Sequence, residues 1–518
     1  ENICIGVSAG TAITTGDKNI CIGTEALNAA QTRSHNVAIG YRAFYTNNSG
    51  ADGTVAIGSE AGYTYNGWNA FTAVGRKALN ALTTASECTG VGYYAGKSAT
   101  TAISLTAFGN SAGEDCTTGG SNTFLGRYAG RSVTTGGYNV VVGDAALDQG
   151  TTCSYNVAVG VAAAEDASIG DNNIAIGYQA LRHHESTDSV AVGHRALMTN
   201  TTGSEHTAVG YHALKANSTA TKNTAIGYEA GLDITTGSYN TCVGHEAGTA
   251  LTTSSYGTFI GYRAGKAYTT ENQWGASACI VGARAGETAT GVKNTLIGTQ
   301  AGKEIGSAAN TVLIGNEVAK NRTGNYNVVV GMSGLPQEGT GANNVAIGFY
   351  VGAALTSGGN NVFLGHEAGG NATTGSNNIC IGYDTDLSAA DVSNEITLGD
   401  SNISSLRCQV QTISSLSDER DKTDINDLDL GLDFIDSLKP VKFKWDSREG
   451  ITKDGTYEAG FIAQDFQKSQ KDNDADYLGL VMDNNPDRLE TSYGKLIPVL
   501  VKAIQELKQE IQTLKQND

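Results

Sequence analysis

Asn36-Val37-Ala38-Ile39-Gly40 is one copy of a five-residue stretch on which the reading of the whole chain turns. Asn173-Ile174-Ala175-Ile176-Gly177 and Asn344-Val345-Ala346-Ile347-Gly348 are two more. The closing glycine recurs from Gly6 to Gly399 in 24 copies, most of them 17 residues apart. A fixed period of this kind marks a solenoid, in which one coil buries its apolar face only by stacking on the next.

Within each copy the residue before the glycine is apolar all 24 times. The residue three before it is Val, Ile or Thr in every copy but one, where it is Cys279. These two positions share one face of a strand, and the mostly apolar residue between them faces the other way. A strand that is apolar on both faces belongs to a covered parallel sheet. One chain alone would turn one face inward and the other to water, so the pattern predicts that another chain covers the outer face. Asn stands four before the glycine in 14 copies. Stacked amides can donate and accept along a ladder, and Asn also starts a strand after a turn; both roles are open. Ala stands three after the glycine in 19 copies, which suggests a tightly packed single helical turn or a second short strand. A turn block such as Thr134-Thr135-Gly136 then leads to the next Asn.

The chain has 518 residues with 67 Gly and only 4 Pro, and 17% of its residues are charged, which suits thin strands and tight turns better than a solvated disordered chain. A net charge of −18 argues against nucleic acid as a partner. Cys4, Cys21, Cys242 and Cys380 stand two before a repeat glycine and Cys279 three before, and all five read as small buried hydrophobes. There are nine cysteines and no C-x-x-C pair, so no disulfide framework is expected and assembly in a reducing cytoplasm is. No apolar run reaches the roughly 18 residues of a membrane helix, so no membrane insertion is expected. Glu1 enters directly into a repeat, and an attachment domain is expected upstream of it.

The period breaks between Gly261 and Gly282, where extra residues surround Trp274. The loop from Tyr268 to Trp274 reads either as a contact site or as an inert bulge. Gly96-Lys97-Ser98 ends like a phosphate-binding loop, but Val91 stands where its first glycine would be. His183, His184, His194, His245 and His366 lack metal-ligand spacing. No cofactor and no metal are expected.

Past residue 400 the composition changes. Residues 401–416 read as a connecting segment with a short strand over Ser405-Leu406-Arg407-Cys408-Gln409-Val410. Leu428 to Leu438 has helical spacing, and Pro440 ends it. Val441-Lys442-Phe443-Lys444-Trp445 alternates like a strand. From about Tyr493 a helix places Ile497, Ile504 and Ile511 at a positions and Leu500, Leu507 and Leu514 at d positions of a short coiled coil. Ile at a with Leu at d favours two strands, so a trimer must be set by something else.

The repeat unit resembles the coils of trimeric adhesin heads, a left-handed parallel β-roll packed as a trimer, and the 17-residue repeats of phage tail fibres. The Ser417-Asp418-Glu419-Arg420-Asp421-Lys422 opening, Leu438-Lys439-Pro440-Val441, Gly460 to Gln464 and the helix from Tyr493 to Leu507 resemble the intramolecular chaperone domain of endosialidase type, peptidase family S74. The resemblance covers 417–518. Ile396-Thr397-Leu398-Gly399 and Leu406-Arg407-Cys408 are similar to what precedes that domain in phage fibres.

That resemblance implies a domain that trimerises, templates the folding of the preceding β-structure and then cuts itself off between Leu416 and Ser417. Ser417 would be the nucleophile and Lys422 its general base, made competent when assembly buries it. Arg420 would assist; Asp418 and Gln464 match motif positions without an assigned chemistry. The expected fold is mainly β: a trimeric parallel β-solenoid over 1–400, the connecting segment over 401–416, and a small α+β chaperone domain over 417–518 that ends in a coiled-coil helix. The expected protein is a homotrimeric tail fibre or host-attachment fibre of a virion, assembled in the host cytoplasm and directed at a glycan or protein receptor on the host surface. A bacterial surface adhesin and, further off, a tailspike glycosidase are the alternatives. The only catalysis expected is one self-cleavage per chain. Near-identical coils make a slip of register cheap, and this gives such a chaperone its purpose.

Overall fold

The computed structural model describes residues 1–46, 51–166, 169–269, 277–403, 405–407, 409, 417–445, 455–483 and 489–517. They form two units, Glu1–Ser333 and Gly334–Asp518.

The first unit is a parallel β-solenoid. Each coil contributes one three-residue strand, from β1 (Ile3–Ile5) to β20 (Val328–Val330). Equivalent positions pair in register: Ile3 with Ile20, Cys4 with Cys21, and so on through Val312 with Val328. The middle residue of the strand points inward and is buried, as at Cys21, Ala38, Phe124 and Val141. Its two neighbours point outward and are half-buried or exposed: Phe108 is 51% exposed and Leu125 45%.

The Asn ladder forms, and each Asn also opens its strand. Asn139 Nδ2 donates to Asn122 Oδ1 (3.0 Å) and to the Cys153 carbonyl (2.9 Å), while the Asn156 amide donates to Asn139 Oδ1 (3.0 Å). Between Asn36 and Asn122 the ladder gives way to Thr54, Phe71, Cys88 and Leu105. There Phe44, Tyr65 and Phe71 fill the interior, with Phe71 edge-on to Phe44 at 5.2 Å and to Tyr65 at 4.8 Å.

The block after the glycine is neither a helical turn nor a strand. It is a turn with left-handed residues two and four after the glycine, such as Arg42 (φ 53°) and Phe44 (φ 51°), around the fully buried Ala43. Its amides bond to neighbouring coils, as Phe44 N–H does to the Ala61 carbonyl (2.8 Å), so the buried backbone stays satisfied without a second sheet. Core volumes compensate between the two blocks. Phe124 fits because Gly113 and Gly130 flank it, and a Cβ on either would come within 2.6 Å of its ring. Where the strand centre is small, as at Ala38, Ala73 or Ala191, the turn supplies Phe44, Leu79 or Leu197 instead.

Two expectations change here. Trp274 and the rest of 270–276 lie outside the described residues, and Tyr268, where the inserted segment begins, is fully buried against Phe259 at 5.3 Å. Of the five cysteines read as buried, Cys21, Cys242 and Cys380 are; Cys4, in β1, is exposed, and Cys279 is half-buried on the outer face. Burial pushes the thiols of Cys21 and Cys242 up to about 12.

The second unit starts with four more coils, carrying β21 (Val345–Ile347), β22 (Val362–Leu364), β23 (Ile379–Ile381) and β24 (Ile396–Leu398), paired in the same parallel register. In the connecting segment the described residues 405–407 form no strand, and 408 and 410–416 lie outside the description. The C-terminal region holds α1 (Leu432–Ser437), the antiparallel pair β25 (Val441–Phe443) and β26 (Glu458–Gly460), α2 (Ala463–Asp472), the pair β27 (Val481–Met482) and β28 (Glu490–Thr491), and α3 (Ile497–Asn517). Helix α1 is shorter than its apolar spacing suggests. Gly431 breaks the chain direction at φ −138° and ψ −125°, and a side chain from far along the sequence, Glu506, caps the Leu432 amide at 2.7 Å. Leu430, Phe434, Leu438, Phe466, Leu480, Leu496 and Val499 close one small core over these elements.

Candidate functional site

Ser417 and Lys422 meet. Lys422 Nζ lies 2.6 Å from Ser417 Oγ and 3.4 Å from the Ser417 carbonyl. Local sequence accounts for it. Asp418 caps a single 3-10 turn over Glu419–Asp421: its Oδ1 accepts the Arg420 amide at 2.9 Å. The Lys422 amide closes the turn on the Glu419 carbonyl at 3.1 Å. An acidic side chain that accepts amides at the start of a turn is a strong local cap. The chain thus doubles back, and Lys422 returns to the serine five residues before it.

Arg420 is engaged elsewhere. Its guanidinium grips the Asp418 carboxylate through Nε (3.0 Å) and Nη2 (2.6 Å). This holds the Asp418 carboxyl below its usual range, first through the side-chain bond and then through the Arg420 amide. Arg420 therefore tightens the turn and does not stand against Lys422. Gln464 sits exposed in the first turn of α2. Leu416 lies outside the described residues.

Ser417, Asp418 and Lys422 are all exposed in the single chain. A hydroxyl within hydrogen-bond reach of an amine is the geometry that serine–lysine chemistry needs. In the bond in place Lys422 Nζ donates to the hydroxyl. Proton abstraction requires the free amine, which an enclosed, water-poor setting favours.

The heptad residues occupy one face of α3. Ile497, Leu500, Ile504, Leu507, Ile511 and Leu514 are all exposed, while Val499 and Ala503 are buried on a neighbouring flank, Val499 within the domain's own core. The sequence pattern identified the apolar stripe. It did not identify Glu506, whose role depends on a backbone amide 74 residues away.

Residues 417–474 match the family described as chaperone of endosialidase, peptidase S74. The C-terminal region thus carries this family's signature and follows a β-solenoid of stacked repeats, an arrangement consistent with a tail fibre that bears an intramolecular chaperone. No curated protein and no solved structure matches the chain. Among the described residues no helix is long and apolar enough to cross a membrane.

Proposed function

We propose that this chain is a homotrimeric virion fibre for host attachment, whose region 417–518 aligns three copies, templates their coils and then severs itself at the Leu416–Ser417 bond. The observation that carries the reading is the 2.6 Å contact between Ser417 Oγ and Lys422 Nζ within the segment that matches the endosialidase chaperone family.

The chemistry follows from the positions. Ser417 Oγ gives its proton to a neutral Lys422 Nζ and attacks the carbonyl carbon of Leu416. The C–N bond breaks and the Ser417 nitrogen takes the proton back from Lys422. The acyl group then sits on Oγ as an ester, and water releases the Leu416 carboxylate and the Ser417 hydroxyl. Lys422 is open to water in the single chain, so the reaction waits for neighbouring copies to enclose it. That ordering suits the coils. Their outer faces carry apolar residues such as Phe108, Leu125 and Leu364 that a single chain leaves exposed, and strands with matching pleats at every coil need help to pair in register. Removal of the template after folding would leave coils that cannot readily refold and are protected kinetically.

The test is mass spectrometry and denaturing electrophoresis of the expressed full chain beside Ser417→Ala and Lys422→Ala. The wild type should yield a fragment beginning at Ser417, and both variants should remain whole. A wild-type trimer that stays uncut would overturn the self-cleavage reading, and a monomeric chain would overturn the fibre reading.

A further inference from the structure

Helix α3 uses three of its flanks differently. Leu496, Val499 and Ala503 are buried and Glu506 is half-buried, and all four face the chain's own domain. With Ile497, Ile504 and Ile511 at a, these are g and c positions, so the g flank of the first heptads is already occupied. Past the exposed Pro498 at b, the b and f flank is polar: Lys502, Gln505, Gln509, Gln512 and Gln516. What stays apolar and open is a, d and, on one side only, e. Val501 at e is 50% exposed beside Ile504 at 66%. This seam is wider than the strict a/d stripe of a two-stranded coil and is displaced toward e.

The charges farther along fix what fits it. The e positions past Val501 are Lys508 and Lys515, and the open g position is Glu510. Glu510 borders a groove between α3 and α1 that Leu432, Asp433, Glu506 and Thr513 also line. In parallel helices the g residue of one copy faces the e residue five positions on in its neighbour, which sets Glu510 opposite Lys515. Antiparallel helices would set Lys against Lys and Glu against Glu.

We propose that the e flank of one copy, Val501, Lys508 and Lys515, seats against Glu510 and the α1–α3 groove of the next copy, so that the copies join in parallel and in register. This rests on the homotrimer reading above and names the residues that set orientation and width of the seam. Each copy offers an e flank and accepts one, which closes a ring.

The experiment uses the full chain carrying Ser417→Ala, so that α3 stays attached, with sedimentation to establish the trimer and subunit exchange between two fluorescently labelled populations to measure its hold. Lys515→Glu and Glu510→Lys should each speed exchange at least about tenfold, and the Glu510→Lys/Lys515→Glu swap should restore the parental rate to within about threefold. The effect of the single changes should shrink in 1 M salt, roughly as screening requires. Exchange unmoved by both single changes, or a swap that fails to recover, would overturn the seam while leaving the trimer standing. A monomeric parent would overturn both.

Discussion

Lys422 Nζ reaches Ser417 Oγ at 2.6 Å because Asp418, the residue between the proposed cut site and the turn, caps that turn and is itself gripped by Arg420. The dyad therefore depends on a residue that touches neither reacting atom. Lys422→Arg keeps a cation at the site but supplies no base, and it should stop cleavage as fully as Ser417→Ala. Asp418→Ala removes the cap, which is worth about 1 kcal/mol in comparable turns, and should slow cleavage roughly five- to tenfold. A time course of the fragment starting at Ser417 checks both, with sedimentation as the control that assembly is intact. Cleavage by Asp418→Ala at the parental rate would remove Asp418 from this role.

Much of this was legible in the chain, for physical reasons. A three-residue strand with a period of 2 and a coil with a fixed repeat leave direct marks, and so do heptads. The block after the glycine left none. Arg42 and Phe44 adopt left-handed backbone that their side chains do not favour, and only the buried Ala43 and the amide bonds to the next coil compel it. Ser417 and Lys422 could be named from a motif, but the partner of Arg420 could not, because the motif lists residues and not their bonds. The start of α1 was illegible for a different reason. Its cap, Glu506, is 74 residues downstream of Leu432, and a missing side chain at Gly431 makes the room.

The closing glycines should be the least replaceable residues of the array. Gly143 has φ +142°, a region closed to side chains, and a Cβ there would stand 2.3 Å from the Gly160 carbonyl oxygen of the next coil. Gly306 has φ +52° and nothing within 4 Å of such a Cβ. Gly143→Ala should therefore cost more than about 3 kcal/mol, and Gly306→Ala only about 1 kcal/mol. Denaturant titration of the two variants separates them. Equal losses would mean that backbone conformation alone, and not contact between coils, selects the glycine.

Acid should weaken the array at two buried histidines. His206 takes the place of a ladder Asn, with Nε2 donating to the Ala220 carbonyl at 2.8 Å and Nδ1 accepting the Asn223 amide at 3.3 Å. His184 bridges Asn173 and Asn200. Burial lowers His206 from 6.5 to about 4, and burial with the neighbouring His206 lowers His184 to about 3. Below about 6.5 the unfolded chain binds protons that the fold refuses. Stability is thus complete above that pH and falls as pH drops toward 4, by about 1.4 kcal/mol per pH unit for each histidine. His206→Asn should restore the amide and remove its share of the slope. Thermal unfolding between pH 7 and 4.5 measures it, and an unchanged slope in the variant would place the acid response elsewhere.

Asn139 accepts two bonds on Oδ1, from the amide and from Nδ2 of Asn156, at 3.0 and 3.3 Å. It also donates to Asn122 and to the Cys153 carbonyl. Asn139→Ala would leave the Asn156 amide and the Cys153 carbonyl buried without these partners, a loss of about 2–4 kcal/mol. Asn139→Asp keeps the acceptor but loses the side-chain donor to Asn122 and the Cys153 carbonyl and buries a charge, and should cost more than the alanine at neutral pH. If the ladder only started strands, Asn139→Ser, a good turn residue that cannot reach both coils, would be nearly silent. Amide hydrogen exchange at Asn156 and Val157 distinguishes the cases, because loss of the ladder should speed exchange in the coil that follows the substitution and leave coils several repeats away unchanged.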